Sequence, residues 1–341
     1  MHPRNSDDRV SVQTVRMLTL FDMKQVVLKN GAGYGTIFKN SWRCSMEISR
    51  YVQELRTNWA LGDARRDAGL TTPDDMIRFD NISYGTHGAD NLLDIYVPKG
   101  TTTLQPTIVN IHGGGWIYGN KEIYQFYCMG LAQRGFVVVN INYRVAPETR
   151  FPGAVCDINE ALRFLEKNGK AYFVDADRLI LVGDSAGGQL VSHYATILTN
   201  PAFAKLFDFE TAKVCVKALG LNCGTYDGRA MAINRNDEVF LEYIDCVENT
   251  PDELLLARVD ALSYMDSNYP PSYIMSAECD FLLSCAQPMY DHLTSLGVPC
   301  EIRIYGDKNC PEIGHDFHID SRLEQAKICN DHECDFFRRF V

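Results

Sequence analysis

From about residue 76 to the C-terminus, short apolar runs take turns with helical stripes, and few folds accommodate a chain with that rhythm. Residues 107–112, 136–143, 179–182, 216–222, 272–277 and 301–305 are strand-length runs rich in Val, Ile and Leu. Helical segments separate them. One covers 121–134 and is closed by Gly135; a second carries Val155, Ile158, Leu162 and Leu165 on one face. Others cover 185–199 and 281–296, and a last helix lies within 319–340. Strands alternating with helices imply an α/β protein, with a mostly parallel sheet flanked by helices on both faces. Two earlier runs, 78–84 and 92–97, have Gly85 and Gly88 between them and read as two strands and a turn, placed as an antiparallel edge.

Two stretches fall outside the rhythm. Residues 1–70 read as helical and irregular, with apolar and charged residues mixed at helical spacing over 42–60. Residues 225–266 are too long for a simple connection, and an insertion of that kind is more often a lid or binding loop than a bare link. The expected organisation is an N-terminal helical cap segment over 1–70 and a core over 71–341 with a cap insertion at about 225–266. The alternative for these stretches is a helical partner-binding lobe.

Composition removes several function classes. Apolar residues make up 46% and charged residues 23%, as in a soluble globular chain with a full core. A formal charge of -11 argues against a nucleic-acid binder. No apolar stretch approaches the roughly 18 to 20 residues of a membrane span. The first ten residues are polar and carry Asp7 and Asp8, unlike an export signal, so the expected compartment is the cytoplasm. Twelve scattered cysteines then read as free thiols. Cys329, His332 and Cys334 match no zinc spacing, and Gly31, Gly33 and Gly35 match no dinucleotide fingerprint. No metal and no organic cofactor is implied; a homodimer is left open.

The chemistry concentrates at strand ends. Gly183-Asp184-Ser185-Ala186-Gly187 follows an apolar strand and opens a helix, the context that a G-x-S-x-G turn requires. Such a turn lifts a serine hydroxyl above the sheet, at a helix N-terminus that favours developing negative charge. His112-Gly113-Gly114-Gly115-Trp116 ends the strand 107–111 and leaves backbone N–H groups unshielded. Carboxyl ends of parallel strands share one edge, so both motifs reach one crevice. Of eight histidines, His315 and His318 follow the last strand; His315 is favoured because Gly314 frees its approach. Asp280, just after the strand 272–277, is the expected acid, with Glu278 as the alternative. His112 is expected to hold the glycine loop and Asp184 to hydrogen-bond around the serine turn. Arg144 and Asp157 are expected to pair. Trp116 and Tyr118 either line the pocket, as substrate-binding residues, or pack the loop.

These motifs resemble the α/β-hydrolase superfamily, and within it the hormone-sensitive-lipase-like esterases. The resemblance rests on the HGGGW run 112–116, the GDSAGG run 183–188, Tyr143-Arg144, Ala146-Pro147-Glu148, Phe151-Pro152, Asp157 and Asp280-Phe281-Leu282, and it covers about residue 76 onward. It implies an α/β-hydrolase fold with Ser185 as nucleophile, Asp280 as acid and His315 as base, and an oxyanion hole made by the N–H groups of Gly114, Gly115 and Ala186. The sequence departs from the family in one place. Residues 307–314 form a longer loop, and His315-Asp316-Phe317 stands where the family has His-Gly-Phe. The implied function is a serine carboxylesterase that hydrolyses small, short-acyl esters through an acyl-enzyme. The alternatives are an amide-cleaving relative, such as an arylformamidase or peptidase, and a non-catalytic ligand-binding protein on the same fold. The intact Ser185, Asp280 and His315 speak against the last.

Overall fold

The structure, a computed structural model, describes residues 49–341. The expected cap segment therefore lies outside the described residues over 1–48. The described chain begins with helix α1 (Arg50–Asp67), capped by the Ser49 hydroxyl on the N–H of Val52. Strands β1 (Met76–Ser83), β2 (Leu92–Pro98) and β3 (Gln105–Ile111) follow, then α2 (Lys121–Ala132), β4 (Val137–Ile141), α3 (Gly153–Asn168), β5 (Val174–Asp184) and α4 (Ala186–Thr199). The rest runs α5 (Pro201–Ala204), β6 (Val216–Asn222), α6 (Gly228–Asn234), α7 (Glu238–Tyr243), α8 (Glu253–Val259), β7 (Ser272–Ala277), α9 (Leu283–Ser295), β8 (Cys300–Tyr305) and α10 (Glu324–Phe337).

The eight strands form one sheet in the order β1-β2-β4-β3-β5-β6-β7-β8. The pairs β1–β2 and β2–β4 are antiparallel and the remainder parallel, so the antiparallel edge expected from the sequence is present. Side chains alternate across each strand. Val137, Val139 and Ile141 of β4 enter one core with α3, α4 and α9, while Val138 enters a second with α2 and α10. Every residue of β4 and β7 is buried, which is why they read as continuous apolar runs rather than alternating ones.

The largest boundary difference is at β5, which begins at Val174 rather than 179. Its first turns carry Asp175, Asp177 and Arg178. Arg178 pairs with Asp175 at the solvent-facing end of the sheet, so this part of the strand has no apolar signature. Residues 225–266 form three short helices, α6, α7 and α8. Each starts at an aspartate whose carboxylate caps the first turn: Asp227 accepts from Ala230 N, Asp237 from Val239 and Phe240 N, and Asp252 from Leu255 N.

Arg144 and Asp157 form the expected pair, bonded through two guanidinium nitrogens and the Arg144 N–H. The eleven cysteines of the described residues are free thiols. Cys329 and Cys334 point into the α10 core, and His332 bonds the Tyr305 hydroxyl instead of joining them. No helix among the described residues is long and apolar enough to cross a membrane.

Beneath the sheet, α10 buries Glu333, whose carboxyl accepts from Asn222 Nδ2 at 2.8 Å and from the Tyr127 hydroxyl at 3.3 Å. Burial pushes its pKa up to about 7. An unfolded glutamate titrates near about 4.3, so between these values the native state holds a proton that the unfolded state has released. Stability therefore falls as pH rises through that window and is level above it. Glu333→Gln keeps an acceptor for Asn222 Nδ2, turns the amide N–H to the Tyr127 hydroxyl oxygen, and removes the ionisation. The variant is expected to lose less stability between pH 5 and pH 7.5 than the parent, by on the order of 3 kcal/mol at most, and so to show a smaller fall in Tm. Thermal melts of both proteins check this, and equal slopes contradict it.

Candidate active site

The β5–α4 turn is fixed by close packing. A methyl group on Gly187 would collide with the carbonyl oxygens of Ile111 and His112, and one on Gly183 would meet the Gly187 backbone and the Ile111 carbonyl. These contacts press the turn onto the end of β3 and leave Ser185 at φ 53°, ψ -120°, a left-handed φ that non-glycine residues seldom adopt. The Ser185 N–H donates to Asn222 O at 2.9 Å, which ties the turn to the end of β6.

His315 comes from the loop after β8. That loop is longer than the family pattern, yet a bridge between Gly314 and Cys279 lays it beside the end of β7. His315 Nδ1 lies 2.8 Å from Asp280 Oδ1, and its Nε2 lies 3.0 Å from Ser185 Oγ. Asp280 also accepts from Ser276 Oγ at 2.7 Å and from Leu282 N at 2.9 Å. Burial alone would raise the Asp280 pKa; the hydrogen bond from His315 and those from Leu282 and Ser276 outweigh it and hold the carboxylate below its usual range. Thus Ser185, His315 and Asp280 converge. The alternatives do not: Glu278 makes no contact with His315, and His318 is buried against the Tyr127 ring, its pKa lowered to about 3 by burial.

The glycine loop is pinned from below. His112 Nδ1 bonds Gly113 O at 2.8 Å, its ring stacks on Tyr143 at 4.1 Å, and the Tyr143 hydroxyl donates to His112 O. Burial lowers the His112 pKa to about 4, so it stays neutral in this structural role. Gly114 O accepts from Ile117 N and Tyr118 N, closing a turn in which Gly114 and Gly115 have φ of 110° and 56°. The N–H groups of Gly114, Gly115 and Ala186 have no acceptor among the described residues, and all three residues border the pocket that holds Ser185.

That pocket has a volume of about 640 Å³. Its roof is α1, with Leu55 and Trp59, and its sides are Met231 of α6, Val239 of α7 and Phe281. The Phe281 ring is 74% exposed and lies 4.2 Å from that of His315. Tyr118 lines the pocket and donates to Asp63 on α1 at 2.7 Å. Trp116 touches the pocket, but its main role is packing. It is 3% exposed, stacks on Tyr243 of α7 and donates to Gln189.

Asp184 differs from the sequence expectation. Alternation along β5 turns its side chain to the α2 side, where it accepts from the Tyr124 hydroxyl at 2.6 Å rather than bracing the serine turn. Sequence reasoning also missed Asp316 as a site residue. Its Oδ2 lies 3.2 Å from His315 Nε2, and its only signal was the aspartate standing where the family has glycine. The residue has φ 56°, a left-handed value that glycine or aspartate tolerates. Helix α1 falls within the helical cap expected over 1–70, but none of its residues had been named as lining the pocket.

Donor atoms of Cys223, Asp316 and His318 lie within 4.8 Å of one another, as do those of Cys223, Asp280 and His315. Burial pushes the Cys223 thiol well above its usual pKa, and a metal needs the thiolate. Asp280 and His315 are, besides, committed to each other. Neither set suits a resident cation.

A family model described as BD-FAE matches residues 93–290. Over 229 residues the chain is 31% identical to the ethyl acetate hydrolase of Pseudomonas putida, covering 64% of this chain and 68% of that protein. It is 29% identical to the carboxylesterase NlhH of Mycobacterium tuberculosis, over 68% of this chain and 76% of NlhH. To the esterase LipQ of the same organism it is 28% identical, and the match spans half (50%) of LipQ. Among solved structures, esterase B from Lactobacillus rhamnosis superposes with a TM-score of 0.76 at 24% identity, over 85% of this chain and 93% of that one. At that identity the likeness concerns the fold.

The packing at the serine turn is directly testable. Gly187→Ala is expected to destabilise the protein by about 3 kcal/mol or more, because backbone cannot yield to the new methyl. Gly62→Ala in α1, where nothing lies within 4 Å of the added carbon, is expected to be neutral or slightly stabilising. Thermal melts separate the two, and equal shifts would contradict the analysis.

Proposed function

The chain belongs to the BD-FAE family and has the α/β-hydrolase fold of a carboxylic ester hydrolase, and on that premise we propose that it cleaves small, short-acyl esters through Ser185, His315 and Asp280 by way of an acyl-enzyme. The observation that carries this is the double contact of His315: Nε2 at 3.0 Å from Ser185 Oγ and Nδ1 at 2.8 Å from Asp280 Oδ1, beside an open pocket. Both distances lie within hydrogen-bond reach, as proton transfer requires.

In this reading His315 Nε2 takes the Ser185 proton as Oγ attacks the ester carbonyl. Asp280 fixes the Nδ1–H tautomer and stabilises the imidazolium. The oxyanion is received by the N–H groups of Gly114, Gly115 and Ala186, which have no acceptor among the described residues. Nε2–H then protonates the departing alkoxide. Water, deprotonated by the same nitrogen, attacks the acyl-enzyme, and Ser185 leaves with its proton restored. Every step uses groups already in place.

Several features support a small substrate. The pocket volume is in the range of small-ligand sites. Helix α1 and the insertion at 225–266 act as its cap, with Trp59, Met231 and Val239 among the side chains that line it. The P. putida relative is named for ethyl acetate, an ester of a two-carbon acid. The enzyme is read as cytoplasmic, acting without an organic cofactor.

Ser185→Ala is expected to lower kcat by about 10⁴-fold or more while leaving Tm within a few degrees. A fluorophosphonate is expected to label Ser185 in the parent and not in the variant. Across p-nitrophenyl esters from acetate to palmitate, kcat/KM is expected to peak at two to four acyl carbons. Parent-like turnover by Ser185→Ala defeats the mechanism; a maximum at long chains defeats the substrate class.

A further inference from the structure

Two groups, not one, meet the reactive nitrogen of His315. Ser185 Oγ lies 3.0 Å from Nε2 and Asp316 Oδ2 lies 3.2 Å from it. With Nδ1–H held by Asp280, neutral Nε2 has a single lone pair and can accept only one good hydrogen bond. The surroundings of Asp316 then decide whether it donates or repels.

Asp316 and Asp184 face each other, close enough to hydrogen-bond. The Oδ1 atoms of both are buried without a donor. Two carboxylate oxygens left in that state would repel, and the contact is satisfied when a proton lies between them. The Tyr124 hydroxyl already donates to the other Asp184 oxygen. With a proton between the two acids, one chain of polar groups runs from the Tyr124 hydroxyl through Asp184 and Asp316 to His315 Nε2. Protonation of both acids satisfies every orphaned oxygen in the cluster.

We propose that Asp316 is a positioning residue that, when protonated, competes with Ser185 for the Nε2 lone pair of His315 and so restrains the nucleophile until Asp316 loses its proton. This rests on the reading of Ser185 and His315 as nucleophile and base. The other groups around Asp316 give it no firm counter-ion. Asp280 and Asp63 are acids, Cys223 is a thiol, and His318 is neutral. Arg66 on α1 is held by Asp63 and Asp67. Burial and the negative charge of Asp280 push the Asp316 pKa up to about 8, and burial pushes Asp184 well above the carboxylate range. A fifth of the Asp316 side chain remains open to the pocket, so solvent moderates the rise and provides the route by which the proton leaves.

The test is the pH dependence of kcat/KM for p-nitrophenyl acetate, corrected for spontaneous hydrolysis, with three proteins. The parent is expected to rise about tenfold between pH 7 and pH 9, as the donor on Nε2 disappears. Asp316→Gly, which suits the left-handed backbone, is expected to show no such rise and to match at pH 7 the parent's value at pH 9 within about twofold. Asp316→Asn keeps an N–H donor at every pH and is expected to stay at the parent's low level throughout. Coincident profiles for the parent and Asp316→Gly overturn the proposal; a purely structural role would lower activity without moving the profile. Should the glycine variant fail to fold, the parent against the near-isosteric Asp316→Asn decides in the same way. The rate of fluorophosphonate labelling of Ser185 is measured in parallel. Labelling without the pH difference overturns this inference alone, whereas no labelling at any pH overturns the esterase reading with it.

Discussion

The site depends on a contact of backbone against backbone, where the turn after β5 lies on the end of β3. Gly183 and Gly187 are there because no side-chain carbon fits between them and the carbonyls of Ile111 and His112. From that contact come the strained φ of Ser185, the seat of Ala186 at the head of α4, and the nearness of the glycine loop to the serine. Strain of this kind persists only when its surroundings over-determine it. Here the Ser185 N–H bond to Asn222 and the buried carboxyl ends of the paired strands β3, β5 and β6 do so.

Around this rigid centre the polar groups are arranged in layers of different firmness. His112, Tyr143 and Tyr124 are buried and bonded to backbone at the centre, and they hold the glycine loop without titrating near neutral pH. Asp280 is stabilised as an anion by three donors. On the other side of the imidazole, burial and the charge of Asp280 push the Asp316 pKa up, and burial and the charge of Asp316 push that of Asp184 up. One histidine thus stands between two acids whose surroundings push their pKa values in opposite directions.

The parallel sheet, its antiparallel edge and the convergence of Ser185, Asp280 and His315 were legible because each leaves a local signature: period-two burial, glycines at a forced turn, a carboxylate at a strand end. The start of β5 was not legible, since Asp175 and Arg178 satisfy each other in solvent and erase the apolar run. Asp184 was misplaced because a turn motif names its residues but not the face onto which strand alternation sends them. The roof of the pocket was read only coarsely, as part of a helical cap over 1–70. Only Val52 of α1 is buried, so no apolar stripe singled out the residues that face the pocket.

That absence has a consequence for how the roof is attached. Arg56 holds α1 to the body by a bidentate pair with Glu148 at 2.8 and 2.7 Å and by bonds to the carbonyls of Ile117 and Ala146. Glu148 is half exposed, so this fastening is a polar one in contact with solvent, which dissolved ions weaken far more than they weaken apolar burial. Tyr118 bonded to Asp63 and Arg322 bonded to the Ala68 carbonyl fasten the far end of the helix, and Val52, Leu55 and Trp59 pack beneath it. Added salt therefore loosens only the ionic part of the roof's attachment and leaves its apolar part as it was.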